Sequence, residues 1–320
     1  MIVVPDDFPS VFADSEAHAR AKALGELRVF TERGADREDE LIRRIGRARA
    51  AINIRAHARF TEAVFAACPD LKLVSVWGTG TDNIDLSAAG MRGVTVCNTP
   101  GINAFAVAEH ALALMLAVAR KITVLDAELR KGKWPRELLT QLTGKTLGVF
   151  GMGAIGSRLA ALGRGIGMRV LGWSATGDEK RILKTGAGSA TKDEILRSAD
   201  VVSLHVRLTP ETRGFLGRKE LALMKPTAIL VNTGRGALVD RDALLDALKQ
   251  HRLLGAGLDV YHQEPLPPDD PILALPNVVC SPHNAGQTPE VIRDGLLAAV
   301  ENVERFLNGS PTNLVVAPLK

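Results

Sequence analysis

The chain has 320 residues, of which 46% are apolar, 24% charged and only 4% aromatic, with a formal net charge of +4 at neutral pH. That length sets two domains of about 100 to 200 residues as the expectation, and the composition describes a soluble globular protein with ample material for buried cores. The mild charge points away from nucleic acid, and the longest apolar run, residues 111–119, is too short to span a bilayer.

The densest basic stretch, IRRIGRARA at 42–50, follows Glu38, Asp39 and Glu40 and has no aromatic residue interleaved with its arginines. It reads as the solvated face of a helix, with Asp39–Arg43 and Glu40–Arg44 as i,i+4 pairs. No secretory signal is expected, because Met1 leads straight into IVVP without a basic flank or a small-residue cleavage site. Cys68, Cys97 and Cys280 are far apart and lie in or beside apolar segments, so reduced core thiols of a cytoplasmic protein are expected.

Short β-rich runs alternate with helical patterns along the whole chain. IVV at 2–4, LRVF at 27–30, AINI at 51–54, LKLVSV at 71–76 and VTVC at 94–97 read as strands. Residues 104–120 are apolar on most sides, which suits a buried helix. A second set follows: TLGVFG at 146–151, MRVLGW at 168–173, VVSLHV at 201–206, AILVNT at 228–233, GAGLDV at 255–260 and NVVCSP at 277–282. A capping box, Thr191 to Glu194, opens the helix before the third of these. Thr288 and Pro289 open a last helix running to Asn308 with Gly309 as its stop, and NLVV at 313–316 is read as packing back onto the first domain.

Such alternation implies parallel strands with right-handed helical crossovers. The chain is therefore expected to be an α/β protein of two doubly wound parallel-sheet domains. The first is discontinuous, 1–99 with 288–320, and the second spans 100–287, with ligands bound in the cleft that the two form.

Gly151, Gly153 and Gly156 carry the spacing of a dinucleotide-binding turn that opens a helix at Ala154 and Ile155. Such a turn usually comes with an acid about 20 residues later to hold the adenosine ribose. Here the strand RVLGW closes on Ser174 instead. Past the same sheet edge, AILVNT ends on Thr233 and is followed by Gly234 and Arg235, GAGLDV contains Asp259 and is followed by Glu264, and VVCSP is followed by His283.

An Arg, a Glu and a His beside a dinucleotide site are what hydride transfer to or from a 2-hydroxy acid requires. Arg235 can hold the substrate carboxylate and polarise the C2 oxygen through its planar fork of donors. His283 can exchange the hydroxyl proton, and Glu264 can orient the imidazole and favour its protonated form. His205 ends a strand on the same edge without a recognisable acidic partner, so it is expected to line the cofactor cleft. His18, His57, His110, His251 and His262 show no metal-ligand spacing, and no metal is expected.

The segments GTGTDNIDL, NTPGINAFAVAEHALALMLAVAR, LTGKTLGVFGMGAIG, LVNTGRGALVD, GAGLDVYHQEPL and SPHNAG, in this order between about residues 50 and 308, resemble the D-isomer-specific 2-hydroxyacid dehydrogenase family, most of all its phosphoglycerate dehydrogenase and glyoxylate or hydroxypyruvate reductase members. The resemblance implies Rossmann-like domains, a small 2-oxo or D-2-hydroxy acid as substrate, NAD or NADP as cofactor, and a homodimer built partly through the helix beginning near Ala104. By resemblance Arg235, Glu264 and His283 take the catalytic positions. Gly151, Gly153 and Gly156 take the pyrophosphate turn, and Asp259 takes the contact to the nicotinamide carboxamide. The loop Trp77, Gly78, Thr79, Gly80 takes the place where backbone N–H groups receive the substrate carboxylate.

Three departures bear on specificity. Ser174 replaces the acid of NAD-preferring relatives, which removes the repulsion that excludes a ribose phosphate. Arg207 stands where the family pattern commonly has proline and, with Lys180 and Arg181, offers cations for a 2′-phosphate, so NADP is the favoured cofactor. Asp178, beyond Gly177, is the alternative acid. Arg55, near the position where phosphoglycerate-specific relatives meet the substrate phosphate, keeps that substrate open. The family also contains transcriptional corepressors that keep this fold and dinucleotide site, which is the alternative to an enzyme.

Overall fold

The structure, a computed structural model, describes residues 1–54 and 57–318. The chain divides into two compact units, Met1–Asn103 with Gln287–Lys320, and Ala104–Gly286.

The first unit begins with strands β1 (Ile2–Val4), β2 (Leu27–Val29), β3 (Ala50–Asn53), β4 (Leu73–Val76) and β5 (Thr95–Cys97). The second contains β6 (Thr146–Phe150), β7 (Arg169–Trp173), β8 (Gly188–Ser189), β9 (Val201–Leu204), β10 (Ile229–Asn232), β11 (Gly255–Leu258) and β12 (Val278–Cys280), and β13 (Leu314–Val316) returns to the first. The first sheet has the order β13-β5-β4-β3-β1-β2, parallel throughout except for β13, which runs antiparallel to β5. The terminal NLVV therefore does pack onto the first domain.

Neighbouring residues of a strand face opposite sides of a sheet, and the first sheet is covered on both. Val3, Ala51, Val74 and Val96 pack on one side with Leu41, Ile45, Val64 and Phe65. Ile2, Val4, Ile52 and Leu73 pack on the other with Leu296, Ala299, Val300 and Val303. Those last four belong to the helix Pro289–Leu307, which Thr288 caps through the Val291 N–H and Pro289 opens.

The second sheet is parallel throughout, in the order β12-β11-β10-β9-β6-β7-β8. Its strand order reverses between β6 and β9, and the C-terminal strand ends there form the edge at which such sheets bind ligands. The same alternation fills both faces: Phe150, Leu204, Leu230 and Leu258 on one, Leu147, Val149, Ile229 and Val231 on the other. The helix Ala104–Ala119 buries Ala108, Ala111, Leu114 and Met115 against the second group.

Three local expectations are corrected. Arg44 is not solvated: it is 4% exposed, pairs with Glu40 at 2.7 Å and donates to the carbonyls of Pro5 and Glu32. Asp39 pairs with Arg37 at 2.5 Å rather than with Arg43, which turns to Glu40 at 2.6 Å. Cys280 is exposed although Cys68 and Cys97 are buried, and all three thiols are free. The two-residue β8 had no sequence signal, since Gly188–Ser189 offers no apolar run.

Candidate active site

At the end of β6 the chain turns through Gly151, whose N–H donates to Trp173 O at 2.9 Å and whose φ of 98° lies in the left-handed region. A Cβ on Gly151 would collide with the His205 backbone, and one on Gly156 would collide with the Gly151 carbonyl, whereas nothing lies within 4 Å of a Cβ at Gly153. The turn is therefore closed on the protein side and open at Gly153. The helix Ala154–Gly165 that follows has Gly153 as its N-cap and no side chain satisfying its first N–H groups. Those donors and the positive end of the helix are suited to a pyrophosphate. Two buried polar atoms at neighbouring strand ends, His205 Nδ1 and Thr233 Oγ1, have no partner among the described residues. These residues fit a bound dinucleotide. Burial pushes the His205 imidazole down to about 4, so the ring is neutral at physiological pH, with Nε2 2.9 Å from Ser203 Oγ.

The three expected ionisable residues follow β10, β11 and β12. Asn232, the last residue of β10, accepts from the Gly234 N–H at 3.0 Å and donates to the Arg235 carbonyl at 2.9 Å, fixing the turn that carries the guanidinium. Gly236 then lets this loop touch the next one, since a Cβ there would collide with the backbone at Tyr261. Glu264 is held at both oxygens: Oε1 accepts from the Tyr261 N–H at 2.9 Å, and Oε2 lies 2.6 Å from His283 Nδ1. Burial works against the Glu264 charge, but the hydrogen bond and charge of His283, the Tyr261 N–H and the nearby Arg235 outweigh it and hold the carboxyl below its ordinary value. With an ionised carboxylate on Nδ1, that nitrogen carries the ring proton and Nε2 is left to exchange protons with a ligand.

His283 itself sits at φ 54°, a conformation that a non-glycine residue adopts only when its surroundings enforce it. The enforcement comes from Asp259, which is fully buried. Its Oδ1 accepts from Ser281 Oγ at 2.6 Å and the Asn284 N–H at 2.9 Å, and its Oδ2 accepts from the Ala285 N–H at 2.9 Å. Ser281 Oγ in turn lies 2.8 Å from His110 Nε2 on the helix Ala104–Ala119. Asp259 thus anchors the loop that presents the imidazole. Sequence reasoning set His110 aside with the metal-free histidines and did not single out Ser281, Asn232 or Tyr261; only His110 carried a residue-type signal.

Ser174 Oγ lies 2.9 Å from Thr176 Oγ1, and Asp178 is spent capping the helix Glu179–Lys184, accepting from the Arg181 N–H at 2.9 Å. Arg207, Lys180 and Arg181 are exposed and form no ion pair among the described residues. In the first unit the expectation for the loop after β4 is narrowed. The Trp77 N–H donates to Asn53 O at 2.9 Å and the Gly78 N–H to Thr99 Oγ1 at 2.7 Å, so neither can receive a carboxylate. The N–H groups of Thr79 and Gly80 have no partner among the described residues. Arg55 lies outside the described residues. Among the described residues no group of three or more His, Cys, Asp or Glu side chains could hold a metal, and no helix is long and apolar enough to cross a membrane.

Comparison with known proteins bears on this geometry. Residues 112–285 match the model of the D-isomer specific 2-hydroxyacid dehydrogenase NAD binding domain. A glyoxylate reductase of Korarchaeum cryptofilum is 43% identical over 259 residues, 79% of this chain and 78% of the relative. A D-3-phosphoglycerate dehydrogenase of Archaeoglobus fulgidus is 38% identical over 292 residues, which is 91% of this chain but 55% of that longer protein. Among solved structures, an acyclic imino acid reductase in complex with NADPH and D-Arg superposes with a TM-score of 0.90 at 32% identity, covering 98% of this chain and 99% of that one. The chain therefore belongs to the D-isomer specific 2-hydroxyacid dehydrogenase family and is a nicotinamide-dependent oxidoreductase of 2-hydroxy acids.

Proposed function

We propose that this protein is a homodimeric, cytoplasmic reductase that converts glyoxylate or hydroxypyruvate to the corresponding D-2-hydroxy acid, with NADPH as its preferred cofactor. The observation that carries the reading is the 2.6 Å contact of His283 with an ionised Glu264, on loops adjoining Arg235 at the edge where the glycine turn receives a dinucleotide. The similarity to a glyoxylate reductase supports the substrate class.

When bound, the nicotinamide supplies the hydride that reaches C2 of the 2-oxo acid. Arg235 holds the substrate carboxylate and polarises the C2 oxygen. As that oxygen gains charge, His283 Nε2 delivers a proton to it, giving the hydroxyl; in the oxidative direction the same nitrogen takes the proton back. Glu264 keeps the ring oriented and stabilises it while charged. The N–H groups of Thr79 and Gly80 receive the substrate carboxylate. Gly151, Gly153, Gly156 and the first N–H groups at Ala154 and Ile155 hold the pyrophosphate, with His205, Thr233 and Asp259 lining the nicotinamide side.

The NADPH preference rests on the absent acid at Ser174, the engagement of Asp178 as a helix cap, and the exposed Arg207, Lys180 and Arg181, which have no ion-pair partner among the described residues. The free cysteines suit the proposed compartment.

The test is kcat/KM with NADPH and NADH, side by side, on glyoxylate, hydroxypyruvate, pyruvate and 3-phosphohydroxypyruvate. NADPH and one of the first two substrates are expected to lead. Substituting Ser174→Asp should reverse the cofactor order, and His283→Ala should lower kcat by about 10²- to 10⁴-fold without unfolding the protein. A lead for the phosphorylated acid would move the reading to a phosphoglycerate-type enzyme. Tight cofactor binding without turnover on any acid would move it to a cofactor-sensing binding protein.

A further inference from the structure

The loop after β4 has four peptide N–H groups in a row, of which two are occupied within the protein and two, at Thr79 and Gly80, have no partner among the described residues. What distinguishes the open pair is on the carbonyl side of the same peptide groups. The Gly78 carbonyl, which shares its peptide with the Thr79 N–H, accepts from the Thr99 N–H at 2.9 Å. The Thr79 carbonyl, which shares its peptide with the Gly80 N–H, accepts from Asn98 Nδ2 at 2.9 Å. A carbonyl that accepts a hydrogen bond polarises its own amide, and the N–H at the other end becomes a stronger donor. Both open donors are thus primed by the adjoining residues Asn98 and Thr99, and Gly78, at φ 118°, sets the turn that presents them together.

The priming residues are themselves fixed. Asn98 and Thr99 are 6% and 1% exposed. The Asn98 carbonyl accepts from Asn302 Nδ2 at 2.9 Å and its N–H donates to Asn313 O at 3.1 Å. Asn313 Nδ2 donates to Asn302 Oδ1 at 3.0 Å. The Asn98 backbone is therefore held by groups other than its side chain, which leaves the side-chain amide as a dedicated contact to Thr79.

We infer that Asn98 and Thr99 are positioning residues that hold and polarise the Gly78–Thr79 and Thr79–Gly80 peptides so that their N–H groups bind the carboxylate of the 2-oxo acid. This rests on the substrate class proposed above. Because the carboxylate is unchanged by the reaction, the contact stabilises substrate and transition state alike, and its loss raises KM rather than lowering kcat.

The test uses Asn98→Ala, which removes the donor to the Thr79 carbonyl, Thr99→Val, which removes the hydroxyl that holds the Gly78 N–H while keeping the Thr99 N–H on the Gly78 carbonyl, and the hydroxyl-retaining Thr99→Ser. Asn98→Ala and Thr99→Val are expected to raise KM for the 2-oxo acid by about 5- to 20-fold with kcat within about twofold. They should weaken binding of oxamate to the NADPH-loaded protein by a similar factor while leaving the Kd for NADPH unchanged. Thr99→Ser should restore both values, which a loss of general stability would not allow. Unchanged KM and unchanged oxamate affinity in Asn98→Ala and Thr99→Val would overturn the inference. A wild-type protein that turns over no 2-oxo acid, yet loses oxamate affinity in these variants, would keep the inference and remove the function proposed above.

Discussion

The two units solve the same problem in opposite ways at their first strand-to-helix connection. After β6 the turn leaves the first N–H groups of the helix Ala154–Gly165 without a side-chain acceptor. After β1 the helix Glu16–Ala23 is capped by Ser15, which accepts from the His18 N–H, and the connection before it carries Asp6 and Asp7, both almost wholly buried. Asp7 accepts from Ser10 Oγ and from the N–H groups of Val11, Phe12 and Ala13 at 2.8 to 3.0 Å. Asp6 accepts from the N–H groups of Phe8, Gly34 and Ala35 at 3.2 to 3.3 Å and lies 3.0 Å from His57 Nε2. The first unit has built its anion into the chain, whereas the second must take one from solution. One sheet architecture therefore makes a closed structural corner or a cofactor site according to the connection alone.

The largest expected effect breaks the first half of that comparison. Asp7→Ala leaves four donors without their acceptor, the buried Phe12 N–H among them, and should destabilise the first unit by about 3 kcal/mol or more. In calorimetric unfolding that transition should move while NADPH binding stays intact. A smaller effect breaks the second half. Gly156→Val forces a side chain against the Gly151 carbonyl, and should weaken NADPH binding at least about tenfold, with a cost to the second unit of about 1 to 3 kcal/mol.

The smallest effect sharpens the comparison through pH. Asp6 resists burial through its His57 contact and backbone donors, which hold its carboxyl below the ordinary value. Its contribution is present above that ordinary value and is lost only as pH falls through the depressed one. His205 behaves differently: the unfolded chain binds its proton near 6.5, the native ring only near 4. Stability of the second unit should therefore decline as pH falls from about 6.5 to about 4, before the first unit responds. Denaturant midpoints across this range should show the decline in wild type and a shallower one in His205→Gln.

Much of the site was legible because it is written locally. A glycine spacing is a backbone requirement, and Arg235, Glu264 and His283 each lie just past a strand whose apolar run is visible. The caps at Thr191 and Thr288 were legible for the same reason. What escaped the sequence depends on groups distant along the chain. Nothing near Ser281 reveals that its hydroxyl bridges His110 and Asp259, and nothing in the loop after β4 reveals that Thr99 occupies the Gly78 N–H. The burial of Arg44 escaped too, because its carbonyl partners, Pro5 and Glu32, come from segments that periodicity does not describe.

The pairing of β13 with β5 also has a bearing on synthesis. The second unit is one continuous stretch, and all its strands are synthesised before the helix Pro289–Leu307. The first sheet, by contrast, waits with one apolar face only partly covered and the β5 edge without β13 until residues 289–316 arrive. Such an edge is a template for pairing with other chains, so the nascent protein is most exposed to misassociation in the interval before residues 289–316 are added.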